Sequence, residues 1–344
     1  MRTAEFVTPK HPDKMCDRIS DGVLDWALRN DPNARVAIET MGGHGKVFIV
    51  GELTMKEIEK HDPNVVLAEI VEKVTGEKLE IEGRIVTQSE DIAKGVDTGG
   101  AGDQGIMQGY ATRETANFMP IEYELARSLC KFLFEKFPVD GKTQVTVNEK
   151  EPSISSKYHG QASPVVLVAS FQKVAGETLL EAMREWLRAN DYLPGIADVQ
   201  LYANPAGDWS IGGFEADTGL TGRKLAVDNY GPRYPLGGGA FSGKDATKVD
   251  RSAAYMARKI AVEFLENNEN FDEAKVRLSY AIGIAEPVEK TMLARRHGAD
   301  VWEAQDIGDY DLTPNGIIEC LNLRAPIFQE TAEWGHFGNG NIWK

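Results

Sequence analysis

The richest chemistry in the sequence lies between residues 237 and 258, GGGAFSGKDATKVDRSAAYMAR. Glycines let backbone N–H groups come close to phosphate oxygens, and Lys244 and Lys248 set ammonium charge beside them. From Gly238 the spacing mimics the GxxxxGK of a Walker loop. Asp245, however, stands where that loop needs Ser or Thr for magnesium, and the preceding YGPRYPLG is not a buried parallel strand. The segment reads better as a flexible anion-binding loop, with a glycine-rich surface loop as the alternative.

Upstream, DTGLTGRKLAVDNYG (217–231) sets Arg223 and Lys224 side by side after a glycine. That pair offers a planar donor fork and a point charge to one anion; a solvated basic pair is the plainer alternative. DGKTQVTV (140–147) puts Asp140 and Lys142 at the mouth of a strand, which a simple turn would also explain. In GAGDQGIMQGYAT (100–112), Asp103 is either a turn residue or a partner for an ammonium group. HPDKMCDRISDGVLD (11–25) places Pro12 at a helix start, between His11 and Asp13, and the helix dipole alone accounts for an acid there. The remaining histidines, and Glu39 on its strand, fall singly; none makes a metal cluster, and no Ser/His/Asp or Cys/His arrangement emerges.

The chain of 344 residues carries 53 acidic and 38 basic side chains, a formal charge of −15. That balance argues against a nucleic-acid binder held by a general basic field. An acidic protein that binds a polyanion must gather its cations locally, and residues 223–248 do so. Cys16, Cys130 and Cys320 have neither zinc-ligand spacing nor an even number for disulfides, which suits a reducing cytosol. No secretory signal is visible at the N-terminus, and PVVLVASF (164–171) is too short to cross a bilayer. A cytoplasmic protein with no membrane partner is expected.

Hydrophobic periodicity predicts a helix near 12–29, strands at 35–40 and 46–53, a helix near 63–75 and a strand near 79–88. The same order returns as a helix near 120–137, strands near 142–148 and 163–171, a helix near 177–189 and a strand near 198–203. It begins again with a helix near 250–268, strands near 275–283 and 287–293, and a helix near 314–323. Hairpins with helices on one side point to α+β units. The stretches 97–109 and 204–247 break the periodicity and hold most of the candidate chemistry. From the residues alone, the chain is a polyphosphate-binding enzyme with carboxylates available for magnesium, its second substrate undisclosed.

Taken together, these strings resemble the S-adenosylmethionine synthetase (methionine adenosyltransferase) family. HPDKMCDRISDGVLD, GAGDQGIMQGYAT, DGKTQVTV, DTGLTGRKLAVDNYG, GGGAFSGKDATKVDRSAAYMAR, YAIGIAEP and ETAEWGHFG follow one another in the family's order from residue 11 to 338. The resemblance implies three similar two-layer α+β domains about a pseudo-threefold axis, bounded here at 1–99, 100–212 and 213–344. It implies a homodimer or homotetramer with active sites between subunits, ATP and L-methionine as substrates, and magnesium (two ions) and potassium as cofactors. The reaction implied is attack of the methionine sulfur on C5′ of ATP, release of tripolyphosphate, and its cleavage to phosphate and pyrophosphate.

Carried over residue by residue, the resemblance assigns catalysis to His11, Lys142, Arg223 and Lys244. ATP would also meet Asp140, Asp208, Trp209, Asp217, Lys224 and Ala240, and methionine would be framed by Glu52, Lys94, Asp103, Asp217, Lys248 and Ile282. Asp13 and Asp250 would hold magnesium, and Glu39 potassium. Departures from the family's pattern are Thr8, Pro9 and Lys10 before His11, Lys94 in place of a glutamine, and Asp208-Trp209 in place of Arg-Phe. Lys10 is expected to add charge near the triphosphate. A shortened segment between Asp97 and Asp103 suggests a reduced gate and tolerance of bulkier methionine analogues. The competing readings are a catalytically weak or regulatory paralogue, and a Walker-type ATPase or kinase.

Overall fold

The computed structural model describes residues 1–88, 99–148, 163–190, 199–340 and 343. Among them the elements run β1 (Arg2–Val7), α1 (Pro12–Asn30), β2 (Arg35–Gly43), β3 (Lys46–Thr54), α2 (Pro63–Thr75), β4 (Glu80–Val86) and β5 (Gly105–Thr112). There follow α3 (Ile121–Lys136), β6 (Gly141–Asn148), β7 (Ser163–Phe171), α4 (Gly176–Ala189) and β8 (Gln200–Ala203). The chain continues through β9 (Gly219–Leu220), α5 (Leu225–Asp228), α6 (Val249–Asn267), β10 (Phe271–Tyr280), β11 (Glu289–Arg296) and β12 (Trp302–Gln305). It closes with α7 (Pro314–Cys320) and α8 (Phe328–Thr331).

The strands make three four-stranded sheets, β9-β2-β3-β4, β1-β6-β7-β8 and β5-β10-β11-β12. Helices α1 and α2, α3 and α4, and α6 and α7 cover one face of each. The layers are the expected α+β pairs, and their pairing is cyclic. β1 leaves the first unit to pair with β6, β5 from the 100–212 span pairs with β10, and β9 from the third unit returns to β2, all antiparallel. A threefold pattern of exchanged edge strands therefore ties the units together.

β1, β5, β9 and β12 escape the periodicity reading. β1 alternates for only six residues, and its partners lie some 140 positions away. β5 carries Gly109, where an added Cβ would lie 2.1 Å from the Ala257 carbonyl oxygen, so the glycine that hides the strand also lets α6 press against it. In the first two units a crossover helix makes the last strand parallel (β3 to β4, β7 to β8), whereas β11 and β12 are joined directly and run antiparallel.

Helix α1 is the centre of the assembly. Met15, Cys16, Ile19, Val23, Leu24 and Ala27 are buried, and so are Asp13, Asp17, Asp21 and Asp25, four carboxylates one turn apart. Their cost of burial is offset because each accepts backbone N–H groups from the third unit. Leu220 donates to Asp13 (3.0 Å), Gly222 to Asp17 (2.8 Å), Gly243 to Asp21 (2.8 Å), and Phe328 and Gln329 to Asp25 (2.9 and 3.0 Å). Asp21 also takes a two-point ion pair from the fully buried Arg251, at 2.8 and 2.6 Å.

Candidate active site

Two helix N-termini organise the functional side chains. At α1, His11 is the N-cap, Pro12 the first helical residue and Asp13 the second. Asp13 is buried, and its carboxylate receives Lys224 Nζ at 2.5 Å while Arg223 Nε stands 3.6 Å away. Burial pushes the Asp13 carboxyl up, but Lys224, the Leu220 N–H and His11 more than reverse this, so it stays ionised well into acid. At α6 the pattern recurs: Lys248 is the N-cap and Asp250 again the second helical residue. Lys244 Nζ lies 2.5 Å from Asp250 Oδ2, and the Gly239 N–H donates to Oδ1 at 3.0 Å.

His11 sits among the charges of the α1 group. Its Nδ1 accepts the Asp13 backbone N–H at 3.2 Å, so in the neutral ring the proton belongs on Nε2. Burial, with Lys224 and Lys142 outweighing Asp13 and Asp217, lowers its pKa to about 4. Near neutrality His11 is therefore an uncharged Nε2–H donor. Lys142, at the start of β6, pairs with Glu5 at 2.7 Å; with both side chains nearly half exposed, that pair is only weakly held.

Asp140 is buried and accepts the Gly213 N–H at 2.8 Å. Burial, reinforced by Asp217, raises its carboxyl to about 6 against the Gly213 bond. A cavity of about 200 Å³ opens beside it, lined by Lys10, Met15, Gln172, Lys173, Gly213 and Phe214 among others. Glu39 lies on the open face of β2, where partial burial lifts its carboxyl above the usual range, with Lys244 opposing and Asp17 and Glu52 assisting.

The glycine-rich segments meet here through close packing. Gly222, at φ +78°, would place a Cβ 2.5 Å from that of Ala240, and Gly243, at φ +82°, one 1.9 Å from the Ile38 carbonyl oxygen. Only glycine tolerates both the left-handed backbone and the contact. Ser20, Thr40 and Thr221 add a hydroxyl cluster at 2.8 Å that fastens the 217–224 segment to α1 and β2.

Family models for the S-adenosylmethionine synthetase N-terminal, central and C-terminal domains match residues 1–93, 98–209 and 211–344. S-adenosylmethionine synthases of Brachyspira hyodysenteriae, Wolinella succinogenes and Helicobacter pylori are 39%, 40% and 40% identical to it, each over 98% of this chain and 92% of the relative. The solved "Structure of an Unusual S-adenosylmethionine synthetase from Campylobacter jejuni" superposes with a TM-score of 0.84 at 29% identity, covering 99% of this chain and 95% of that one. The chain belongs to the S-adenosylmethionine synthetase family. Three domains of mixed helix and sheet, as expected from the resemblance, are the family's fold.

Against that family pattern the structure places the sequence candidates unevenly. His11, Asp13, Lys142, Asp217, Arg223 and Lys224 are neighbours, linked by contact or by charge, and Lys244 and Asp250 form the second group with Glu39 and Glu52 alongside. Asp103 is exposed and, among the described residues, accepts the Gln104 N–H at 2.7 Å. Ile282 is exposed in a turn whose neighbours Gly283 and Ile284 bond to Ala101. Lys248 is bound to Asp245, and Asp245 Oδ2 also accepts the Val36 N–H at 2.7 Å. That is why an aspartate occupies the position a Walker loop gives to Ser or Thr: it sutures the loop to β2.

Two departures acquire local explanations. Lys10 Nζ donates to the Val74 and Thr75 carbonyls at 3.0 and 3.1 Å, capping the C-terminus of α2, so its ammonium is committed there and not to a triphosphate. Asp208 Oδ1 accepts from Gly176 N–H (2.8 Å) and Asn204 Nδ2 (3.1 Å) and so secures the start of α4, with Trp209 half-buried against Gly212. Lys94 and Asp97 lie outside the described residues. Sequence reasoning passed over Asp17, Asp21 and the Ser20–Thr40–Thr221 cluster. The available signal was the recurrence of Asp every four residues on a helix otherwise apolar on that side.

Among the described residues no group of three or more His, Cys, Asp or Glu side chains forms a metal cage, and no helix is long and apolar enough to cross a membrane. Single carboxylates beside a glycine-rich loop nonetheless suit Mg²⁺, which takes one or two protein carboxylates and completes its shell with phosphate and water. The ammonium groups resting on Asp13 and Asp250 show that each carboxylate already holds a cation.

Proposed function

We propose that the chain makes S-adenosylmethionine from ATP and L-methionine at a site assembled around the N-termini of α1 and α6, and then hydrolyses the tripolyphosphate to phosphate and pyrophosphate. The observation that carries this reading is the gathering of His11, Lys142, Arg223 and Lys224 about one helix N-terminus in a chain of net charge −15. A methionine sulfur lone pair forms the S–C5′ bond while the C5′–O bond breaks, its electrons staying on the triphosphate. The sulfur carries no proton, so no general base is required. Catalysis must align sulfur with carbon and stabilise charge growing on the leaving oxygen.

His11, neutral and protonated on Nε2, donates to that oxygen; Lys142, Arg223, Lys224 and Lys244 hold the phosphates. Removing one such donor typically costs about 3–4 kcal/mol, roughly a hundred- to thousandfold in rate. Asp140 positions the nucleoside, Asp217 reaches both it and methionine, Ala240 lies against ATP, and Trp209 offers a ring face to adenine. Asp208 acts indirectly, through the start of α4. Glu52, Asp103 and Asp217 face the methionine ammonium, with Lys248 and Ile282 framing the pocket. Asp13 and Asp250 would hold Mg²⁺, which supplies positive charge to the phosphate oxygens, and Glu39 would hold K⁺.

The functional assembly in this reading is a homodimer, or its doubled tetramer, in which the α1 group of one copy meets the α6 group of another. Met41, Val50, Ile106 and Leu220 are exposed on strands of two sheets and give such a contact its apolar part. The units bounded at 1–99, 100–212 and 213–344 exchange edge strands, so they act as one body. Incubation with ATP, methionine, Mg²⁺ and K⁺, followed by mass spectrometry, should show the sulfonium product. ATP turnover to ADP without methionine would instead support a kinase-like ATPase and overturn the reading.

A further inference from the structure

We propose that Asp17 and Asp21 are positioning residues for the adenosyl-transfer site, each fixing the residue that immediately precedes a phosphate-binding cation. Asp17 accepts the N–H of Gly222, next to Arg223 and Lys224, and Asp21 accepts the N–H of Gly243, next to Lys244. Both glycines have left-handed backbone and no room for a side chain, so the chain reverses sharply at each carboxylate. Together with Asp13, the two acids form one stripe on α1, rising about 6 Å per turn-length step of four residues. A single rigid helix thereby anchors two loops that come from distant parts of the sequence, one for each of the two sites to which the chain contributes.

Both carboxylates are fully buried and neither meets substrate in the proposed reaction. Asp17 is further held by Lys14 at 2.9 Å, and Lys14 is also bound by Asp228, the last residue of the short α5 that follows Lys224. Asp21 is held by Arg251, which donates as well to the Lys244 carbonyl at 2.9 Å. The loops carrying the cations are thus pinned from the amide before the charged side chain and, for Lys244, from its own carbonyl. Phosphate cations on glycine loops would otherwise wander, and a displacement of about 1 Å at a reacting centre can cost about 100-fold in rate.

Asp25 provides the internal control. It lies on the same stripe, is nearly as buried, and likewise accepts backbone N–H groups, but those of Phe328 and Gln329, which carry no phosphate-binding cation. Purified full-length Asp17→Ala, Asp17→Asn and Asp25→Ala are compared for melting temperature, for kcat and KM toward ATP and methionine, and for the Kd of the non-hydrolysable analogue adenylyl imidodiphosphate. Asp17→Ala should lose about 30- to 100-fold in kcat/KM for ATP and about tenfold in analogue affinity, with the methionine KM within about threefold. Asp17→Asn, which keeps an acceptor for Gly222, should recover to within about fivefold of the parent. Asp25→Ala should melt lower yet keep both kinetic constants within about threefold.

The proposal is overturned if Asp17→Ala keeps its ATP parameters, if Asp25→Ala loses them equally, or if Asn fails to rescue. Should the alanine variant not fold, Asp17→Ser, too short to reach the Gly222 amide, is read against Asp17→Asn. The inference rests on the proposed reaction, and the two are separable. A parent chain that makes no sulfonium product sinks the reaction, while the analogue affinities still decide whether Asp17 positions the phosphate loop.

Discussion

Replacing Lys224 by Met would test the α1 half of the site through two opposed effects. Lys224 Nζ lies 2.5 Å from Asp13 Oδ2, with side-chain exposures of 15% and 3%. At an effective dielectric constant of about 20, unit charges about 2.5 Å apart attract by about 7 kcal/mol, most of which desolvation consumes. Breaking a fully buried pair typically costs about 3–5 kcal/mol. Here the partial exposure of Lys224, the bond Asp13 keeps from the Leu220 N–H and the nearby Arg223 charge reduce the expected loss to about 2 kcal/mol, or a melting temperature lower by about 4 °C. The same change removes a phosphate cation, so kcat/KM for ATP should fall about 10²- to 10³-fold. With no ammonium on Asp13, Mg²⁺ becomes its best partner. Calorimetry should therefore show saturating Mg²⁺ restoring at least half of the lost melting temperature while moving the parent much less. A rate loss under about fivefold, or equal Mg²⁺ shifts in the two proteins, would refute the reasoning.

Changes at four further residues follow from the same geometry. His11→Ala should lower kcat about 10²- to 10³-fold, whereas His11→Asn, which can still cap Asp13 N–H and donate, should lose markedly less, measured by single-turnover product formation. Asp140 has a carboxyl raised to about 6 from the ordinary 3.8, so kcat/KM for ATP should decline below pH 6, and Asp140→Asn should flatten that limb. Because its folded-state pKa is the raised one, its stabilising contribution is complete below about 3.8 and lost as pH climbs through 6; Asp140→Asn should melt no lower than the parent at pH 8. Glu39→Gln should abolish the difference in rate between K⁺ and a bulky organic cation, read in paired steady-state assays. Asp208→Ala should destabilise by about 1 kcal/mol through the lost bond at the start of α4, yet leave the KM for ATP within about twofold.

Much of this was legible because helical and strand periodicity is strong where one face of an element is buried. α1, α2 and α4 begin within a residue of expectation, and the hairpins β2–β3 and β6–β7 follow their alternation. The exchanged strands were not legible. β1 and β9 are short, and β5 carries glycines because α6 lies on it, so their identity depends on partners that no local window contains. Site residues divide in the same way. Asp13 can be read as a dipole partner from type and position alone, whereas its role as a cation ligand, like that of Asp250, is implied only by the family resemblance. That Lys10 serves α2, Lys248 serves Asp245 and Asp208 serves α4 depends on distances set by tertiary packing.

An acidic chain that handles a polyanion faces a conflict: its general field repels the ligand, so attraction must be local and geometrically fixed. The fold answers with one device used twice, a helix N-terminus whose second residue is an aspartate holding a lysine from a glycine-rich loop. In the proposed site those carboxylates hold the two lysines in place before any phosphate arrives, so little reorganisation remains when the ligand binds. Asp17 and Asp21 do for the loops what Asp13 and Asp250 do for the side chains, and they can do it buried because backbone N–H groups and the cations Lys14 and Arg251 satisfy them. In the proposed site the negative charge that opposes phosphate binding overall is, on α1, the frame on which the cation-bearing loops are hung.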